Sequence, residues 1–473
     1  VKKVIDVVVV YSLITNVSNF LPLSTTFTHF FAFSGKSAHK SSYFQLNRKD
    51  FGFFAREHFQ AKACFQPLTL RSMRFLPVIL LLIMACSGSE NTWIPTGTWR
   101  ALLELQGQEL PFTFDLEKKE DQYVAWIRNG KERLYLDEVE VTADSITMNV
   151  HIFDAVFKAA IKNGELEGLF IIQYADNYRV PFRATHGKDY RFAPTDTTAS
   201  VADFSGKYAV QFFNENNTVD ALGIITQKGN YAEGTFLTPT GDYRYLEGNV
   251  VNDTLWLSGF DGNHLYIFNA VKLGDTLSGI HWLGKSRNRK WSGVKDDQAK
   301  PPVSESLTYL KDGHTTLEFT FPDVNGNLVS LQDERFKNKV VVVQILGSWC
   351  PNCMDETRFL TDWYPKNKDR GVEIIGLAYE QKAEFDYASG RIKKMKEKLG
   401  VPYEVLIAGT NANASETLPA LNRVIAFPTT IFVGKDGQVK HIHTGFSGPG
   451  TGVYYEQQQE RFNEIVNQLL NSY

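Results

Sequence analysis

From about residue 96 onward, apolar and polar positions alternate in short runs, the two-residue period of half-buried strands. "WRALLEL" (Trp99–Leu105), "LPFTFDL" (Leu110–Leu116), "YVAWI" (Tyr123–Ile127) and "ITMNV" (Ile146–Val150) are such runs, separated by turn-forming stretches such as "RNGK". No strong helical period appears before residue 350. The strand pattern also repeats. "TGTWRALLEL" at Thr96 is echoed by "SGKYAVQFF" at Ser205, "RLYLDEVEVTADSITMNV" at Arg133 by "YRYLEGNVVNDTLWLSG" at Tyr243, and "VFKAAIKNGELEG" at Val156 by "IFNAVKLGDTLSG" at Ile267. The offset stays near 110 residues, with Phe157, Ala159, Leu166 and Gly168 opposite Phe268, Ala270, Leu277 and Gly279. Two related antiparallel β units are expected, at 95–190 and 203–296, each a small barrel or sandwich.

A charged stretch containing Pro301-Pro302 follows, placing a linker at 297–312. Beyond it, over 313–473, strands alternate with helices. "LEFTFPDVNGNLVSL" suggests a strand and a turn. Val340–Leu346 is an uninterrupted apolar strand of the kind buried on both faces of an α/β sheet. Val372–Tyr379 is a second buried strand, and "EFDYASGRIKKMKEKLG" is a helix that should end at Gly400. "TTIFV", a "GKDG" turn and "QVKHIHT" form a hairpin. In the last helix Phe462, Ile465, Val466, Leu469 and Leu470 share one face. The expected fold class is therefore multi-domain, with antiparallel β repeats ahead of an α/β domain.

Composition narrows the function. The 473 residues carry a net charge of −3, which gives no reason to expect nucleic acid as a partner. The β half shows no clustered metal ligands and no phosphate-binding glycine loop. Trp256, Trp282 and Trp291 are better explained as core and rim aromatics than as a ligand pocket, and a spacer or partner-docking module is the default reading.

Further upstream, "MRFLPVILLLIMACSGSE" from Met73 has a basic start, a short apolar run and a small residue before Cys86. The run is shorter than the ~20 residues that span a bilayer. It resembles a bacterial lipoprotein signal over 73–85, with Cys86 acylated and a polar tether over 86–94. Residues 1–72 are then expected to precede the true start. Of the four cysteines, Cys64, Cys86, Cys350 and Cys353, only the last two would remain as free thiols.

"GSWCPNC" sets those two cysteines at the start of a helix. A structural zinc site would need about four ligands, and no second CxxC or nearby His pair supplies them. A staple closing so small a loop would constrain the unfolded chain little. A redox couple is the preferred reading. "FTFPDVNGNLVSL", "SWCPNC", Glu356 and "AFPTTIFVGKDGQV" together resemble the TlpA/ResA branch of membrane-tethered thioredoxin-fold thiol-disulfide oxidoreductases, over roughly 315–473. The β half lies outside the resemblance.

The resemblance implies that Cys350 attacks, Cys353 resolves the mixed disulfide, Pro428 is a cis-proline after Phe427, and Trp349, Phe427 and Pro428 meet the substrate. Thioredoxins keep a buried Asp where this chain has Gln344. Glu356, three residues after Cys353, is expected to take over proton transfer. Asp355 is expected to be a solvated helix residue. His441 and His443 are expected on opposite faces of their strand, as structural residues rather than copper ligands. Pro351-Asn352 departs from the Gly-Pro of thioredoxin, which leaves the redox potential and the direction of electron flow open from the residues alone. The resemblance implies a reductant of protein disulfides, kept reduced by a membrane electron donor. No cofactor or metal is expected. Expected partners are disulfide-containing proteins, with apocytochrome c a candidate, and a membrane electron donor. The expected setting is the bacterial envelope, lipid-anchored and facing the periplasm. The rival readings are a thiol peroxidase and a binding lipoprotein whose β repeats carry the specificity.

Overall fold

The computed structural model describes residues 94–199 and 201–472. The leader-like segment, Cys64, Cys86 and residues 1–72 lie outside them.

Both β units are closed barrels. In the first, eight antiparallel strands run from Gly97 to His186, and Gly97–Leu105 pairs with both Gln108–Lys119 and Arg179–His186 to close the ring. In the second, the strands between Gly206 and Lys295 form one sheet, which pairing of Thr218–Lys228 with Tyr231–Thr238 closes. A two-residue strand, Gly241–Asp242, is appended to Tyr231–Thr238. The repeat extends to atomic detail. A Cβ on Gly168 would stand 2.0 Å from the Lys158 carbonyl oxygen, and one on Gly279 would stand 1.8 Å from that of Asn269. Each barrel thus needs glycine at the same crossing of neighbouring strands.

Aromatic side chains fill the interiors. Trp99, Phe112, Phe157 and Phe170 are buried in the first barrel, and Phe212, Phe236, Phe268 and Trp291 in the second. Phe260 of the second barrel packs among the first barrel's rings, 4.9 Å from Phe112 and 5.1 Å from Phe170 between centroids. Trp256 stacks on Trp282 at 6.2 Å, so the tryptophans serve packing.

In the C-terminal domain we number the strands β1 (Thr320–Pro322), β2 (Leu328–Ser330), β3 (Val340–Leu346), β4 (Val372–Glu380), β5 (Glu404–Thr410), β6 (Thr429–Val433) and β7 (Val439–Thr444). The longer helices are α1 (Pro351–Asn367), α2 (Phe385–Leu399) and α3 (Val453–Asn471). The main sheet has the order β5-β4-β3-β6-β7, with β3, β4 and β5 parallel and β6 and β7 antiparallel, the expected thioredoxin-like arrangement. As the sequence indicates, α2 stops at Gly400, which adopts a left-handed φ of 65° and donates its N–H to the Glu397 and Lys396 carbonyls. The parallel edge strand β5 is an addition to the elements expected from the pattern. Among the described residues no helix is long and apolar enough to cross a membrane.

Two expectations are corrected. His441 and His443 share a face of β7, because side chains two residues apart on a strand point the same way. Asp355 is buried rather than solvated, because the second barrel covers that side of α1. The barrels are not held away from the α/β domain. Along α2, Tyr387 donates to Asp154 at 2.8 Å, Lys394 pairs with Glu138 at 2.9 Å, and Lys398 pairs with Asp137, all on the first barrel.

Candidate redox site

Strand β3 delivers the chain to the site. All seven of its residues are buried. Val341, Val343 and Ile345 face the core beneath β1 and β2, whereas Val340, Val342 and Leu346 face the helices. Gln344 shares the helix face. Gly347 then makes a turn that no side chain would fit, since a Cβ there would lie 2.2 Å from the Trp349 indole nitrogen. That indole donates to the Tyr379 carbonyl at 2.8 Å, and its ring meets Phe427 edge to face.

Cys350 is the N-cap of α1, with Pro351 in the first turn, where a missing N–H leaves no bond unmade. The Cys353 N–H points at Cys350 Sγ across 3.1 Å. The two sulfurs are joined as a disulfide. Cys350 Sγ also lies 3.4 Å from the Phe427 carbonyl oxygen, and the Phe427–Pro428 peptide is cis. Cys350, Cys353, Trp349, Phe427 and Pro428 are thus brought to one place. A helix N-terminus aimed at a sulfur favours its thiolate.

Glu356 is buried one turn beyond Cys353. Gln344 and Thr430 are paired neighbours on β3 and β6, and both reach the same carboxyl group: Gln344 Nε2 donates at 2.9 Å and Thr430 Oγ1 at 2.5 Å. Burial raises the Glu356 pKa to about 7, against these two hydrogen bonds. Burial thus favours the neutral form of this carboxyl group more than in an exposed glutamate.

Two further features escaped the sequence reading. Glu380, at the end of β4, is buried and accepts bonds from the Ser348 N–H and hydroxyl, each at 2.8 Å, fixing the approach to Trp349 and Cys350. Its acidic side chain closing an apolar run was the available signal. The second is a loop of the second barrel that lies against the residues between the cysteines. Asn352 Nδ2 donates to the Asp242 carbonyl at 3.0 Å, and Arg244 Nη1 donates to the Pro351 carbonyl at 2.8 Å and to Asp355. The signal here was "GFSGPGTG". Cβ atoms on Gly445, Gly448 and Gly450 would stand 2.7 Å from Thr240, 2.7 Å from Asp355 and 2.6 Å from Arg244 respectively. His441 and His443 stay outside the site, and burial lowers the His443 pKa to about 4.

Residues 311–457 match the family described as Redoxin. A thiol-disulfide oxidoreductase ResA of Geobacillus kaustophilus is 31% identical over 138 residues, which is 29% of this chain and 72% of the relative. The ResA of Bacillus thuringiensis subsp. konkukian is 32% identical over 160 residues, 34% of this chain and 79% of the relative. Among solved structures, the thioredoxin domain of a thiol-disulfide oxidoreductase from Bacteroides vulgatus is 25% identical, covering 33% of this chain and 99% of its own, with a TM-score of 0.25. Through its C-terminal domain, the chain belongs to the ResA family of thiol-disulfide oxidoreductases.

Proposed function

We propose that this oxidoreductase is an extracytoplasmic protein-disulfide reductase that works through the Cys350–Cys353 couple and is held to the cell envelope by lipid on Cys86. One observation carries the chemistry: Cys350 sits at the N-cap of α1 with the Cys353 N–H on its sulfur, beside the Phe427 carbonyl. Cys350 attacks the substrate disulfide as thiolate, and a mixed disulfide forms as the substrate's leaving sulfur departs. Cys353 then attacks Cys350, releasing the second substrate thiol and leaving the enzyme oxidised. A membrane electron donor restores the dithiol. Trp349, Phe427 and Pro428 border Cys350 and receive the substrate backbone, with apocytochrome c among the candidate substrates. Pairing of the two cysteines favours this over a peroxidase acting through one isolated thiol.

The test is the midpoint potential of the couple, together with reduction of a disulfide-bonded CxxCH peptide. A low potential with turnover of the peptide is expected. A potential near about −120 mV, the range of strong dithiol oxidants, overturns the reductase assignment.

A further inference from the structure

The second barrel reaches the redox couple through one cation. Arg244 is buried, and its backbone takes a left-handed φ of 56°, a conformation rare for a long side chain. It joins its own barrel to two other parts of the molecule, the first barrel and the start of α1. Its guanidinium bonds to Glu132 of the first barrel, while its Nη1 bonds to Asp355 of α1 and to the carbonyl of Pro351, the residue after Cys350. Its own backbone N–H is held by Asp242 Oδ1 at 2.5 Å, and Asp242 Oδ2 accepts the Gly448 N–H at 2.5 Å. Asp261 lies 4.0 Å from Arg244 Nε and is itself paired with His264 at 2.9 Å, while Arg358 pairs with Asp355 at 3.2 Å.

We infer that Arg244 is a positioning residue for the redox couple. It holds the Pro351–Asn352 turn that presents the Cys353 N–H to Cys350, and it neutralises the acids that would otherwise oppose the Cys350 thiolate. This rests on Cys350 being the attacking sulfur. The titratable groups facing the cluster are mostly acidic, Glu132, Asp242, Asp261 and Asp355, with Arg244 and Arg358 as the cations and His264 hydrogen-bonded to Asp261. Burial raises the Asp242 pKa to about 7, so the negative charge rests on Glu132, Asp261 and Asp355. Removing Arg244 therefore acts in one direction on two counts. The turn loosens, and the local charge becomes more negative. Both disfavour the thiolate. Because a stabilised thiolate makes a couple easier to reduce, the potential should also become more negative.

The experiment uses the full chain carrying Cys353→Ser, with alkylation of the Cys350 peptide followed by mass spectrometry across pH 5 to 10. Arg244→Gln should raise the Cys350 pKa by on the order of one unit, and Arg244→Lys should recover part of the shift. Glu132→Gln keeps Arg244 and removes one acid, so it should lower the same pKa. This second variant decides the matter alone if Arg244→Gln fails to fold. Opposite shifts support the assignment. Shifts of the same sign, no shift, or faster alkylation at every pH with an unchanged pKa overturn it, the last by making Arg244 a mere cover. Failure of the underlying reading looks different, because Cys350→Ser would then trap substrate as readily as Cys353→Ser.

Discussion

Gln344 and Glu356 are hydrogen-bonded to each other: the amide at the position of the thioredoxin acid donates to the carboxyl group on the next helix across 2.9 Å. Tyr403 in turn donates to Gln344 Oε1 at 3.1 Å, so the amide is oriented with its NH2 toward the acid. The strands thus supply hydrogen-bond partners for an acid carried by the helix.

Glu356→Gln should therefore lower turnover. A lost acid–base group typically costs about 10²–10⁴-fold, and water entering the gap would reduce the loss. The cysteine pKa should fall, because a nearby carboxylate opposes a thiolate. Reductase rates and thiol titrations that match the wild type from pH 5 to 10 would reduce Glu356 to a structural residue.

The same residue makes stability depend on pH. Its folded pKa is raised from 4.5 to about 7, so the unfolded chain ionises first as pH rises. The stabilising contribution is full below about pH 4.5 and is lost as pH climbs through 7. It amounts to about 3 kcal/mol at most. Asp242, raised by burial to about 7, acts in the same sense. Urea unfolding at pH 5 and pH 8 should show a smaller difference in Glu356→Gln than in wild type. An equal difference in the two proteins refutes the assignment.

Cys353→Ser should leave Cys350 joined to substrate as a stable mixed disulfide, because no sulfur remains to release it. Cys350→Ser should trap far less. Non-reducing gels of cell extracts, followed by identification of the joined cysteine, distinguish the two; equal trapping means the roles are wrongly assigned.

Asp355→Asn should be costly. The carboxylate pairs with Arg244 and Arg358, and both Asp355 and Arg244 are buried. Breaking a buried pair typically costs about 3–5 kcal/mol. Denaturant unfolding that shows less than about 1 kcal/mol would return Asp355 to the surface role its sequence context suggests.

Processing is tested by intact mass. The cellular protein should begin at an acylated Cys86, and Cys86→Ser should release it from the membrane fraction. Residues ahead of Met73 in the mature protein would contradict the lipoprotein reading.

The β repeats, the CxxC helix start and the sheet with its hairpin were legible because each follows a local rule. Strand period, N-cap and turn chemistry are written within a few residues of one another. What escaped was non-local. Asp355 looks like any helix acid until Arg244, more than a hundred residues earlier in the chain, is folded against it. The Gln344–Glu356–Thr430 group depends on strand register, which the sequence does not display. The facing of His441 and His443 was within reach, since a strict two-residue pleat puts both on one side.

The repeat has a consequence at the redox site. With the offset that aligns Arg133 with Tyr243, Glu132 falls opposite Asp242, and these two acids hold Arg244 from its side chain and its backbone respectively. One position of an ancestral-looking module is thus used twice around a single cation. A chain lacking the first barrel would lose the side-chain half of that grip, whereas a chain lacking the second barrel, or an excised C-terminal domain, would lose Arg244 itself. Redox constants measured on such fragments would describe a different couple from the one in the intact protein.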